Sequence, residues 1–172
     1  MDNPVIYVAI IVAVIVGAMF LSRGLRRSVS KSGSRYGRRT TDDRVNGILA
    51  ELAATIVIHA PEPAARDILD RVVLQQPRKF SLLDDGGYGV RFVEADDAVV
   101  RLVDDAEGTR MQVVRTTERL GMPQNLEFWR ELRSRVTAGA EAQTISVADG
   151  PQHSFARHDG DPVYWEITRE SS

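Results

Sequence analysis

The densest set of reactive side chains lies near the C-terminus, where His153, His158, Asp159 and Asp161 fall within nine residues. Two imidazoles and two carboxylates are donor types that hold zinc or another divalent ion. Their spacing argues for something else. In an extended segment over 153–157, alternate side chains point to opposite faces, so a separation of five sends His153 and His158 apart. Asp159-Gly160-Asp161-Pro162 carries the residue types of a turn, and a hairpin without a metal is expected there.

Gly86-Gly87-Tyr88-Gly89 is the one glycine-rich candidate. A phosphate cradle needs a lysine and a following helix, whereas this run lies between two strand-like segments and reads as a hairpin turn. Asp84–Asp85, Asp96–Asp97 and Asp104–Asp105 recur at successive predicted turns, where aspartate bonds local amides. Gathered on one rim they would attract a cation or a basic partner. Strand direction reverses between turns, however, so only alternate pairs share an edge. His59, two residues before Pro61, reads as a strand-end histidine with a local partner. There is no nucleophile elbow around a serine and no HExxH. With no cysteine, disulfides, thiolate zinc sites, iron–sulfur clusters and a cysteine nucleophile are all excluded. No catalytic residues, metal or cofactors are expected, and an enzyme is not the reading the residues favour.

The elements that must position these groups follow from periodicity. Thr41-Asp42-Asp43 supplies an N-cap and acidic first turn ahead of Val45, Ile48, Leu49 and Leu52, predicting a helix from about 41 to 53. The β-branched run Thr55–Ile58 predicts a strand. Pro61 and Pro63 stop it and open a second helix, with Ala65, Ile68, Leu69, Val72 and Val73 on one stripe. Four strands are expected at Phe80–Leu83, Tyr88–Val93, Ala98–Val103 and Met111–Thr116, with Val90 and Phe92 sharing a face of the second. A third helix is expected from about Pro123 to Ala138, with Phe128, Trp129, Leu132 and Val136 on its apolar side. Three last strands are expected at Thr144–Val147, Ser154–Arg157 and Val163–Thr168. Runs of strands with segregated helices predict an α+β domain: an antiparallel sheet covered by helices on one face.

Charge is divided unevenly along the chain. Residues 1–44 hold eight basic and three acidic side chains, which leaves 14 basic and 21 acidic over 45–172, a net charge of −7. A body this acidic repels nucleic acid, so none is expected as a partner. Pro4 to Leu21 reads PVIYVAIIVAVIVGAMFL, 18 residues without a charge. As a helix it is about 27 Å long, close to the hydrocarbon thickness of about 30 Å, and it has no polar face. A cleaved signal peptide would want a positive start, and Met1-Asp2-Asn3 supplies none. A transmembrane anchor over 1–22 is therefore predicted. Arg23, Arg26 and Arg27 follow at once, so the positive-inside rule places the N-terminus outside and everything after Arg23 in the cytoplasm, at the cell membrane. The same arginines suit contact with anionic lipid heads.

Residues 23–40, rich in serine, glycine and arginine, predict a disordered basic linker before the soluble domain at 41–172. Ala9, Ala13 and Gly17 recur every fourth residue, a stripe on which a second membrane helix packs closely. The bilayer and a protein within it are the expected partners. The expectation for function is a membrane-tethered, non-enzymatic interaction or scaffold domain, an accessory or assembly subunit of a membrane complex. The alternative is a tethered domain binding a lipid or small ligand in a pocket between sheet and helices.

Overall fold

The computed structural model describes residues 41–168. The expectations for the anchor, the linker, the Ala9/Ala13/Gly17 stripe and Arg23, Arg26 and Arg27 all fall on residues outside that range. Among the described residues no helix is long and apolar enough to cross a membrane. By its contacts the chain divides at Arg44, and Val45–Ser172 is one compact unit.

That unit is α+β. Residues 41–52 are helical (α1). Then come β1 (Ile56–Ile58), α2 (Glu62–Gln75), β2 (Phe80–Leu82), β3 (Tyr88–Val90), β4 (Ala98–Asp105), β5 (Gly108–Arg119) and β6 (Met122–Pro123). They are followed by α3 (Leu126–Glu141), β7 (Val147–Asp149), β8 (Phe155–His158) and β9 (Tyr164–Ile167). Every strand pairing is antiparallel, and nine strands share one sheet in the order β2-β3-β4-β5-β1-β7. The order forks at β5. One edge of this 12-residue strand pairs β4; elsewhere it takes β1 at Thr109–Met111, β9 at Arg115–Thr117 and β6 at its end.

α2 starts where two prolines dictate it, with Pro61 as N-cap and proline again in its first turn. Its stripe, Ala65, Ile68, Leu69, Val72 and Val73, is buried as the 3.6-residue period requires. α3 buries Trp129, Leu132, Val136 and Ala140. Together these meet one face of the sheet through Ile56, Ile58, Phe80, Tyr88, Val90, Val100, Met111 and Val113. The Tyr88 hydroxyl donates to Asp70 of α2 at 2.7 Å, so even its polar tip is satisfied. Burial and that carboxylate together push the phenol up.

The other face of the same strands is built differently. Arg101, Arg110 and Arg115 point away from the helices, and each reaches an aspartate in or beside a turn. Arg101 pairs with Asp85, Arg110 with Asp105 at 3.3 Å, and Arg115 with Asp96 at 2.7 Å. A β-bulge separates two registers here: Val99 pairs Arg115 while Val100 pairs Val113, leaving Val114 as the extra residue.

Several boundaries differ from the periodicity. β3 ends at Val90, so Phe92 and Val93 are loop residues and Phe92 shares no strand face with Val90. Pro123 belongs to the two-residue strand β6, and α3 begins only after Asn125, which reverses the chain at φ 73. Asparagine tolerates that left-handed turn. β7 starts at Val147, because Thr144 lies at φ 60 and Ile145 N–H bonds Ala140 C=O to close α3.

Candidate functional site

Three loops meet at one end of the sheet: residues 91–97 between β3 and β4, the β5–β6 hairpin, and the β8–β9 turn. The first folds back over β3. A Cβ on Gly89 would stand 2.1 Å from the Ala95 carbonyl oxygen, so only glycine permits the approach. The Ser81 hydroxyl donates to that same carbonyl at 3.1 Å.

Asp97 organises the region. Only 1% exposed, it accepts the Val93 and Glu94 amides on Oδ2, and the Thr117 hydroxyl (3.2 Å) and Arg119 Nη2 (3.1 Å) on Oδ1. Its own carbonyl accepts Thr117 N–H at 2.7 Å. One carboxylate thus staples the 91–97 loop to the end of β5. Burial pushes its carboxyl up, but the two amides and the Arg119 guanidinium outweigh that and hold it below the usual aspartate value.

Beyond Asp97 lies a cleft of about 460 Å³, walled by Glu94 and Asp96, by Arg115, Thr117 and Arg119, and by Gly160, Asp161, cis Pro162 and Tyr164. Arg115 lies 6.0 Å from the Tyr164 ring centre while pairing Asp96. Tyr164 stacks on His158 at 5.1 Å with 11° between the planes. On the opposite face of the wing formed by β8 and β9, Glu118 accepts Arg157 Nε (2.8 Å) and Nη2 (2.9 Å) and Trp165 Nε1 (2.9 Å). The Arg157 guanidinium, then Trp165, hold the Glu118 carboxyl below its usual range against the pull of burial.

The cleft's charges are therefore largely spent on one another. A carboxylate kept ionised by four donors is a poor proton acceptor near neutral pH, and guanidiniums bonded to carboxylates are poor anion receptors. The arrangement holds loops in place and presents their tips.

The β8–β9 turn is the hairpin expected at Asp159–Pro162; His158 faces Tyr164 and Glu166, with Nε2 4.0 Å from a Glu166 oxygen. Among the described residues no group of three or more His, Cys, Asp or Glu side chains is arranged to hold a metal ion. Gly86, at φ 76, sits in the β2–β3 turn. His59 Nδ1 lies 3.0 Å from the carbonyl of Glu107, a partner far along the chain where a local one was expected. One member of each acidic pair, Asp85, Asp96 or Asp105, joins a strand arginine, and Asp97 joins Arg119. The staple made by Asp97 went unread, since nothing local distinguishes it from Asp96. The β5–β6 hairpin went unread too. Its two-residue loop is Leu120-Gly121, at φ 54 and 75, where asparagine or aspartate before glycine is the usual signal.

Two further grooves lie on the surface, one of about 550 Å³ between α3 and β7, the other of about 520 Å³ between α2 and α3. No protein-family model, curated protein or solved structure matches the chain.

Proposed function

We propose that this chain is a single-pass membrane protein whose N-terminal helix anchors a cytoplasmic, non-enzymatic α+β interaction domain, an accessory or assembly subunit of a membrane complex. The anchor rests on the 18 uncharged residues from Pro4 to Leu21 followed at once by Arg23, Arg26 and Arg27. The observation that carries the domain's role is the mutual pairing of the cleft's charges, Arg115 with Asp96 and Arg119 with Asp97. Such a cleft offers surface and shape in place of a poised acid, base or nucleophile. Between sheet and helices the space is filled by side chains as large as Trp129, Tyr88 and Phe80, each at most 1% exposed. A lipid carrier would need an enclosed apolar cavity there.

Affinity purification of the full chain from detergent extracts, with identification of co-purifying membrane proteins, tests the role. Release of a single catalytic product by the purified chain would overturn it. Protease protection of a reporter after Ser172 tests orientation, and digestion from outside intact cells would reverse it. The Ala9/Ala13/Gly17 stripe is the proposed packing face within the bilayer. Gly17→Ile with Ala13→Ile should abolish a membrane partner's co-purification while leaving insertion intact.

A further inference from the structure

Large apolar side chains are exposed at five described positions, and three of them sit on the two loops that Asp97 staples together. Phe92 is 55% exposed, Val93 54% and Leu120 104%. Leu120 is the sharpest anomaly. It holds φ 54 at the tip of the β5–β6 hairpin, a left-handed backbone region that disfavours leucine and where glycine or asparagine is at ease. Its side chain touches nothing that would offset the strain. Single exposed hydrophobics need no explanation; three on adjacent tips, one of them in a strained conformation, do.

The geometry points to a bilayer wedge: Phe92, Val93 and Leu120 dip into the interface of the membrane to which the N-terminal helix tethers the domain. This rests on the anchored reading above. A protein partner needs a matching surface of about 800 Å², whereas three side chains on two loop tips offer far less. A lipid interface accepts projecting apolar side chains without a matching shape. The tether also supplies the encounter. The 18 residues from Arg23 to Thr40 span at most about 60 Å, so under the anchored reading the domain is held at high effective concentration beside the bilayer and weak insertion suffices. With Arg115 and Arg119 already paired, the rim charges left are Arg91 against Glu94 and Asp161. Insertion is therefore apolar and insensitive to salt, in contrast to the arginines that follow the anchor.

A chain without cysteine can be labelled at one place at a time. Phe92→Cys, Leu120→Cys and Gln143→Cys, the last exposed beyond the far end of α3, each carry an environment-sensitive fluorophore. The full chain is reconstituted into phosphatidylcholine vesicles with and without a spin-labelled lipid. Emission from positions 92 and 120 should shift to the blue and lose most of its intensity to the spin-labelled lipid, equally in low and high salt. Position 143 should do neither. Should the chain float with the vesicles while all three labels stay in water, the wedge is wrong and the anchor stands. If the chain does not float, the anchored reading fails and takes the wedge with it. A blue shift at 92 and 120 without lipid quenching would mean that a second copy covers the tips, which also overturns the wedge.

Discussion

The two faces of the central sheet solve the same problem with opposite chemistry. On the helix side, β4 and β5 present Val100, Met111 and Val113 to α2 and α3, and specificity comes from filled volume. On the other side the same strands present Arg101, Arg110 and Arg115, each tied to an aspartate at a turn. Volume packing is cooperative and costly to disturb, while exposed ion pairs contribute about 0–1 kcal/mol each. The contrast teaches that the arginine face sets loop positions and contributes little to overall stability. Asp97 is the exception, a buried carboxylate doing on the outer side what a core residue does on the inner one.

That comparison can be broken by mutagenesis. The segment 41–172 expressed alone should unfold in one cooperative step by circular dichroism, since its core stripes all lie beyond Thr41. Within it Trp129→Ala, at a ring 1% exposed, should cost about 3–5 kcal/mol in urea unfolding. A cost below 1 kcal/mol would make that face a surface. Asp97→Ala strands two amides and the Arg119 guanidinium and should cost about 2–3 kcal/mol. The carboxyl is lowered in the folded state, so its stabilisation is complete above the unfolded value of about 3.9 and is lost as pH falls through the lower folded value. Asp97→Asn should therefore flatten the loss of stability below about pH 4, and a slope like the wild type's would show that the staple does not need the charge. Tyr88→Phe removes one hydroxyl bond to Asp70 and should cost about 1 kcal/mol. Leu120→Asn carries the opposite sign: relief of the left-handed leucine should stabilise by up to about 1 kcal/mol. Arg101→Ala should change stability least, by under about 1 kcal/mol; a loss of 2 or more would erase the distinction between the faces.

The helix side was legible in the sequence because its signal is local. Ala65, Ile68, Leu69, Val72 and Val73 announce a buried stripe through spacing alone, as do Trp129, Leu132 and Val136 in α3. The outer side was not, because what shapes it acts across the chain. β3 has the composition to continue through Phe92 and Val93, yet the Ala95 carbonyl lies over Gly89 and Asp97 takes the amides of Val93 and Glu94. No window of ten residues contains both Asp97 and Arg119, so no local pattern predicts that staple. β6 escaped for a related reason: two residues held by a Leu-Gly turn carry too little periodicity to register. The candidate cleft inherits this, since the loops that face β5 across it, at Glu94–Asp97 and Gly160–Pro162, take positions that depend on distant partners.

The fork at β5 bears on how the molecule comes apart. On one branch β1 is closed in by buried Ile56, Val57 and Ile58 beneath the helices. On the other, β9 is fastened to β5 by three residue pairs, and the strands β8 and β9 are half-buried or exposed along their length. Opening the second branch leaves the helix-side core largely intact, so it requires less free energy than global unfolding. Amide hydrogens of Phe155–His158 and Tyr164–Ile167 should exchange with solvent through this partial opening, ahead of those in β1 and the middle of β5. The Arg157–Glu118–Trp165 cluster then acts as the latch on a hinged flap, and its strength sets how often the floor of the cleft is bared.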